Sequence, residues 1–80
     1  MDLKTIFPTL NFQTITVADR EKYGLYYEPE GTKIAITDEA IVVDDLTGWY
    51  VAFSTADDTS DDYWVSEYNE DLDLVSTHGI

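Results

Sequence analysis

The sequence predicts a mainly β domain, a small five- to six-stranded antiparallel sheet or curled meander with at most one short helix. Turn residues recur about every eight to twelve positions, and the segments between them are rich in β-branched and aromatic side chains. Hydrophobic residues make up 44% of the chain and aromatic residues 14%, which is enough for a folded core despite a formal net charge of -13.

The length of 80 residues predicts a single acidic domain, residues 1–80, near the lower size at which a chain folds alone. The absence of cysteine excludes disulfides, thiolate chemistry and Cys-based zinc sites, and it fits a reducing compartment. No apolar run approaches the length of a membrane span, and the first residues lack the features of a signal peptide. We therefore expect a cytoplasmic protein without a membrane partner.

The first 24 residues predict one strand, flanked by short segments of helical or irregular structure. Residues 1–10 have apolar spacings that favour a helix, but Pro8 disfavours helical geometry at Phe7, so a brief helical turn or an extended arm is expected. Residues 11–17, N-F-Q-T-I-T-V, are rich in β-branched side chains and predict the first strand. Residues 18–23 predict a single helical turn that ends at the following glycine.

The clearest turn signal lies between residues 25 and 37. L-Y-Y-E and T-K-I-A-I-T stand on either side of Pro29-Glu30-Gly31, where proline fixes one backbone angle and glycine supplies a positive φ. This arrangement is typical of a β-hairpin. Asp38-Glu39 then predicts a second tight connection.

Two further strands are predicted before the acidic stretch. Residues 40–43 form a short apolar segment that ends at Asp44-Asp45, and residues 46–48 turn again. Residues 49–55, W-Y-V-A-F-S-T, are the strongest strand signal because large apolar side chains alternate there. We place this strand at the centre of the sheet.

The stretch from residue 57 to residue 73 holds eight carboxylates around three large aromatic side chains and allows two interpretations. As a helix it would begin at Ser60, and the fold would become α+β if residues 60–75 were helical. Carboxylates near the end of that helix would crowd its negative dipole end without a base to relieve them. We favour the alternative, a hairpin that turns at Asn69-Glu70-Asp71.

The acidic residues are distributed unevenly along the chain. Residues 1–33 carry five acidic residues and all four lysine and arginine residues, whereas residues 34–80 carry twelve acidic residues and none of these bases. Such a charge balance excludes direct binding to nucleic-acid phosphates, which requires Lys and Arg, and disfavours anionic membranes. It predicts a basic protein surface as the partner, and the chain itself is expected to be a monomer or dimer.

Catalytic and metal sites are weakly supported by the sequence. His78 is the only histidine and lies in a tail, residues 76–80, that we expect to fray, and no pair among the many carboxylates is distinguished as acid and base. We predict a protein without enzymatic activity or cofactor. The four aspartates of residues 57–62 are potential calcium ligands, but they lack the glycine and glutamate positions of an EF-hand loop, so an exposed acidic loop is favoured over a metal site.

Carboxylates at the connections of a sheet can imitate the phosphates of a nucleic acid. Residues i and i+2 on one strand face lie about 6.6 Å apart, close to the separation of neighbouring phosphates, and Asp71 and Asp73 have that spacing in sequence. Acidic doublets such as Asp38-Glu39 fall at expected connections, so the loops at one end of the sheet are predicted to form a continuous negative edge. The alternative is that the acids confer solubility alone and that Trp64 and Tyr68 belong to the core.

The predicted partner-binding residues combine these carboxylates with exposed aromatic side chains among them. Charge sets the rate of encounter, whereas aromatic side chains anchor a protein interface. The residues predicted to contact the partner are Asp44, Asp45, Asp57, Asp58, Asp61, Asp62, Tyr63, Trp64, Glu67, Tyr68, Glu70, Asp71 and Asp73.

In overall character the chain resembles the small acidic inhibitors of phages and mobile elements, which include anti-CRISPR proteins, anti-restriction proteins and uracil-DNA glycosylase inhibitors. The resemblance covers size, lack of cysteine, net charge and the clusters Asp57-Asp58, Asp61-Asp62 and Glu70-Asp71-Leu72-Asp73. It implies a blocker that occupies a basic nucleic-acid-binding surface of a host defence or repair protein by DNA or RNA mimicry, in the host cell cytoplasm, with an anti-CRISPR role as the first expectation. A phage structural or assembly protein, or an immunity-type interaction protein, is the alternative.

Overall fold

Six antiparallel strands and two short helices make up the described part of the chain. The computed structural model describes residues 2–54 and 64–79, and here the six strands lie side by side in the order in which they follow along the sequence. The predicted mainly β meander is confirmed. No helix in the described residues has the length and apolar character needed to cross a membrane. The elements are α1 (Leu3–Ile6), a 3₁₀ turn (Phe7–Thr9), β1 (Gln13–Thr14), α2 (Val17–Tyr23), β2 (Lys33–Ile36), β3 (Ala40–Asp44), β4 (Tyr50–Ser54), β5 (Trp64–Tyr68) and β6 (Leu74–Gly79).

The first apolar cluster lies on the face of the sheet that α1 packs against, here called the covered face. Register pairs Ala35 with Val42 and Val42 with Ala52, so these three side chains point to the same side. Leu3 of α1, which has no exposed surface, packs in the same cluster, as does Tyr68 of β5. The covered face is therefore closed by the N-terminal segment.

The second apolar cluster lies on the opposite face of the sheet. Ile34, Ile41 and Val43 of β2 and β3 are buried there. Ile15 and Leu25, which flank α2 in sequence, complete the cluster. The long connection between β1 and β2 thus covers part of this face, and the sheet has an apolar cluster on each side.

The N-terminal segment adopts the helical form rather than the extended one. The Asp2 carboxylate accepts a hydrogen bond from the backbone N–H of Lys4 at 3.1 Å and caps α1. Pro8 lies at the start of the 3₁₀ turn, where a backbone N–H has no acceptor within the turn. The missing N–H of the proline therefore costs no hydrogen bond in the turn. Aromatic packing holds the segment to the sheet, since the ring of Phe7 lies 5.5 Å from that of Phe12 and edge-on to Tyr50 at 5.4 Å.

The predicted first strand is shorter in the structure, because its end is used to start a helix. β1 contains only two residues, and Thr16 and Asp19 form a capping box in which each side chain accepts a hydrogen bond from the other's backbone N–H, at 3.1 and 3.0 Å. Val17 consequently lies in α2 and not in the strand. The helix ends at Gly24, which has a φ of 70°, as the sequence predicted.

The predicted hairpin between residues 25 and 37 is wrong in its first arm. Residues 25–28 form no strand, and β2 pairs instead with β1 on one side and β3 on the other. The carbonyls of Leu25, Glu28 and Pro29 accept hydrogen bonds from the guanidinium of Arg20, at 3.2, 2.6 and 3.2 Å. These carbonyls are therefore engaged by a side chain and not by a neighbouring strand. The turn itself is present, with Gly31 at a φ of 88°.

The other predicted connections of the meander are confirmed. Asp38-Glu39 lies between β2 and β3, where the N–H of Thr37 donates to the carbonyl of Ala40 at 2.9 Å. Leu46 and Gly48 have positive φ values of 69° and 86° in the turn between β3 and β4. β4 lies between β3 and β5, inside the sheet as predicted.

The acidic stretch forms a hairpin where it is described, so the helical interpretation is wrong. β5 and β6 are antiparallel, and the Asn69 side chain accepts hydrogen bonds from the N–H groups of Asp71 and Asp73 at 2.9 and 3.1 Å in the connection. The expectation of a frayed tail is also wrong for Ser76 to Gly79, which pair with β5. The hydroxyls of Ser66 and Thr77 share a hydrogen bond of 3.1 Å across this pair.

We predict that closure of the covered face by α1 is required for stability. Leu3→Ala removes a side chain with no exposed surface and should lower the free energy of unfolding by about 2 to 5 kcal/mol. Denaturant unfolding measures this change. Leu46→Ala is the matched control because Leu46 is 61% exposed, and equal losses in the two variants would contradict the packing of α1 described here.

Candidate partner-binding site

The meander sends its connections alternately to two ends of the sheet. Three connections lie at one end: β1 to β2, whose last part is residues 24–32, β3 to β4 (residues 45–49) and β5 to β6 (residues 69–73). This end, together with Asp44 at the end of β3, is here called the acidic end. Asp38-Glu39 lies at the opposite end, beside the ends of β4 and β5, where the N–H of Trp64 donates to the hydroxyl of Ser54 at 3.2 Å.

Side chains from the three connections approach one another at the acidic end. Burial raises the pKa of Glu28, and the negative charge of Asp45 in the next connection raises it further, while Arg20 opposes this shift. A Cβ atom placed on Gly48 would lie 3.5 Å from Cβ of Glu70, so the second and third connections are in contact. The carboxylates gathered there are Glu28, Glu30, Asp44, Asp45, Glu70, Asp71 and Asp73.

The basic residues near the acidic end are fewer than its carboxylates, and one of them, Lys33 at the start of β2, lies in register with Asp44. Lys4 forms an exposed ion pair with Asp73, whose hydrogen bond and charge raise the pKa of the lysine. Exposed pairs of this kind contribute little to stability. The guanidinium of Arg20 is directed at backbone carbonyls, and the ammonium of Lys22 lies 5.3 Å from the ring centre of Tyr23. The charge of Asp71 also contributes to the raised pKa of Lys4, and the side chain of Glu70 is exposed.

Five of the predicted partner-binding residues come together at the acidic end: Asp44, Asp45, Glu70, Asp71 and Asp73. Glu67 lies within β5 and accepts a hydrogen bond of 2.8 Å from the hydroxyl of Ser76. The predictions for Asp57, Asp58, Asp61, Asp62 and Tyr63 lie outside the described residues.

Of the acidic doublets predicted at connections, Asp38-Glu39 does not lie at the acidic end. Asp38-Glu39 and Asp44-Asp45 stand at the two ends of β3, because successive connections of an antiparallel meander alternate between ends. Asp71 and Asp73 also do not lie on one face of a strand, so the expected separation of about 6.6 Å between them does not apply. Both residues lie in the connection before β6, and Leu72 between them has a φ of 64°. The negative charge is thus assembled from loops and not along a strand.

Two of the three aromatic residues predicted as exposed anchors, Trp64 and Tyr68, are turned toward the core. Tyr68 is 2% exposed and belongs to the cluster of the covered face, so its predicted role at the interface is wrong. Trp64 is half-buried and packs against the same cluster. Trp64 and Tyr68 face the same side of the sheet because side chains alternate along β5. The pairing of Tyr68 with Tyr50 of β4 directs both side chains to the covered face.

Other aromatic side chains, which the sequence did not single out for binding, are exposed at the acidic end. Tyr26 is 60% exposed and Tyr27 is 99% exposed in the first connection, and Trp49 is 37% exposed at the end of the second. The missed signal is the pair of consecutive tyrosines, Tyr26 and Tyr27, which only Glu28 separates from the turn at Pro29. Adjacent residues of a strand face opposite sides, so both could not have been core positions. None of these three aromatic residues is among the predicted partner-binding residues.

The described residues hold no group of three His, Asp or Glu side chains placed to bind a metal ion. An open depression of about 280 Å³, lined by Ile6, Thr9, Thr37, Asp38 and Glu39, lies at the end of the sheet opposite the acidic end. Comparisons of the chain with protein-family models, with curated proteins and with solved structures find no match. The interpretation of the acidic end therefore rests on its geometry and charge.

We predict that the guanidinium of Arg20 holds the connection that carries Tyr26 and Tyr27. Arg20→Lys keeps the charge but loses the planar set of donors that reaches several carbonyls, and should lower the free energy of unfolding by about 2 kcal/mol. Amide hydrogen exchange should become faster in residues 25–29. Lys22→Arg, on the same helix, is the control and should change neither quantity; unchanged exchange in Arg20→Lys would rule out this role.

We predict that Glu28 makes folding pH-dependent. Because its pKa is raised in the folded state above the ordinary value of 4.5, the folded protein binds this proton more tightly than the unfolded chain does, and stability is lost as the pH rises through the folded pKa. Glu28→Gln cannot ionise, so its melting temperature should exceed that of the wild type most at neutral pH and least below pH 4.5.

Thermal unfolding across this pH range measures the effect of Glu28→Gln. Glu30→Gln, which removes one charge from an exposed side chain of the same connection, is the control for charge removal alone. A difference between Glu28→Gln and the wild type that does not change with pH would contradict the prediction.

Proposed function

We propose that the protein is a non-enzymatic inhibitor that binds the basic, nucleic-acid-binding surface of a host defence or repair protein in place of DNA or RNA. The observation that carries the proposal is the gathering of carboxylates from three connections at one end of the sheet. A nucleic acid presents closely spaced negative charges to Lys and Arg side chains, and carboxylates at this end offer the same partners.

The charge distribution supports a protein partner rather than solubility alone. A net charge of about 2 to 8 in magnitude is sufficient for the solubility of a small domain, whereas this chain carries -13. Like charges held close together destabilise the folded state. At Glu28 burial is the larger cause of the raised pKa, and the charge of Asp45 adds to it. A basic partner would relieve this repulsion on binding, so the same charges would accelerate encounter and stabilise the complex.

Exposed aromatic side chains at the acidic end would add anchoring contacts to the charge. Tyr27 is almost fully exposed and Trp49 is partly exposed, and both lie in connections that also carry carboxylates. Tyr and Trp are enriched among the residues that dominate protein interfaces, and their rings also stack on Arg and Lys. The acidic end therefore combines the two features that a tight complex with a basic groove requires.

Within this class an anti-CRISPR protein of a phage, which acts in the host cell cytoplasm, is the first candidate, because blocking a guide-binding or target-binding channel requires only occupation of a basic groove. A phage structural or assembly protein, or an immunity-type interaction protein, is the second. The second candidate is favoured by β6, an edge strand on which Leu74 and Val75 are 56% and 52% exposed.

We predict that charge removal at the acidic end weakens partner binding more than the same removal elsewhere. Glu70→Gln combined with Asp71→Asn should lower affinity by roughly one order of magnitude and flatten its dependence on salt. The matched control, Asp38→Asn combined with Glu39→Gln, removes one Asp and one Glu from the opposite end and should retain most of the affinity.

The partner is first captured from a host lysate on the immobilised chain and eluted with duplex DNA or with RNA. Elution by nucleic acid is expected, and the eluted protein is then titrated with wild type and both variants at low and high salt. Thermal unfolding checks that both variants are folded. Retention that nucleic acid does not reverse, or equal affinity losses in the two variants, would overturn the proposal. Replacement of Asp57, Asp58, Asp61 and Asp62 by Asn tests the remaining predicted carboxylates in the same titration.

A further inference from the structure

The edge of the sheet formed by β6 is open in the described residues. β6 spans Leu74–Gly79 and is hydrogen-bonded to β5 on one side, with no strand on the other. The opposite edge is β1, which has only two residues. A free edge strand presents a row of unpaired N–H and C=O groups that can pair with another chain. The six-residue edge is therefore the longer of the two available for strand addition.

The β6 edge lacks most of the features that protect edge strands from pairing. Its sequence, L-V-S-T-H-G, contains no Lys, Pro or carboxylate, and Leu74 and Val75 are more than half exposed. One register irregularity occurs in the pairing with β5, next to Glu67 and Tyr68. It leaves Ser76 to Gly79 in regular register. This regular part of the edge is suited to extend the sheet.

The charge of the β6 edge favours a second copy of the chain, rather than a basic protein, as the partner that pairs with this strand. A basic strand would be attracted to carboxylates, but β6 itself carries none, and the carboxylate of Glu67 on the neighbouring β5 accepts a hydrogen bond from Ser76. Two copies of a chain with a net charge of -13 repel each other, so a contact between them requires a surface without acidic residues. β6 is such a surface, in a half of the chain that otherwise carries twelve acidic residues.

We propose that β6 binds β6 of a second copy of this chain in antiparallel orientation, which joins the two sheets into one. A two-fold axis perpendicular to the sheet would relate the two copies, because only this axis makes the strands antiparallel and keeps the same face of both sheets on one side. The axis would pass between the two strands beside Ser76 or Thr77, the middle residues of β6. The connection 69–73 lies at the start of β6 and therefore falls beside the far end of the partner's β6. The two acidic ends then point in opposite directions, and their repulsion is small.

This pairing is independent of the proposed inhibitory function, and salt separates the two. Screening reduces the repulsion between two acidic copies, so added salt should strengthen self-association, whereas it should weaken binding of a basic partner to the acidic end. A negative result for self-association therefore does not contradict the proposed inhibitory function, and a negative result for partner binding does not contradict self-association.

The test places charges on the proposed axis and measures mass by sedimentation equilibrium. Wild type should shift from the monomer toward the dimer mass as concentration rises through the micromolar range, more strongly at high salt. Thr77→Lys alone and Thr77→Asp alone should each be monomeric, because like charges would lie directly opposite or diagonally adjacent across the axis. An equimolar mixture of the two variants should recover the dimer, because the charges are then opposite.

Two controls separate this effect from misfolding. Thr77→Ser retains the hydroxyl that bonds to Ser66 and should dimerise like the wild type. Both charged variants lose that hydroxyl equally, so only pairing across the axis explains recovery in the mixture. A wild type that stays monomeric at both salt concentrations, or a mixture that stays monomeric although circular dichroism shows both variants folded, would overturn the proposal.

Discussion

The packing of Leu3 against the covered face is the contact on which the rest of the structure depends. α1 has only four residues, too few to be stable as an isolated helix, so its helical form is held by burial of this side chain beside Ala35, Val42 and Ala52. The small alanines leave the space that the leucine fills. The cluster stabilises the central strands of a chain whose net charge of -13 opposes compaction.

The two apolar clusters allow the charges to be concentrated away from the core. The covered face is closed by α1, and the connection around α2 covers part of the other face with Ile15 and Leu25. Arg20 fixes that connection through its carbonyls, which leaves Tyr26 and Tyr27 exposed beside the carboxylates. Burial within the sheet and repulsion at its end are thus spatially separate.

Most of the fold could be predicted because it depends on neighbours along the chain. Strand alternation and turn residues predicted β3, β4 and the hairpin of β5 and β6, and each was found. The strand assigned to residues 25–28 failed because the Arg20 side chain engages its carbonyls, an interaction that no local pattern reveals. Tyr68 was misassigned as exposed because alternation predicts that β5 has two different faces but not which one is buried.

By itself the sequence determined the class of fold, the turns and the excess of negative charge, since these follow from residue type and from spacing within a few positions. Only the tertiary structure decided which carboxylates share a surface. Asp44-Asp45 and Glu70-Asp71 meet at one end while Asp38-Glu39 lies at the other, because that choice depends on the direction of each strand in the assembled sheet. The exposure of Tyr27 and Trp49 was likewise decided by which residues cover each face, and this is a property of the packed chain.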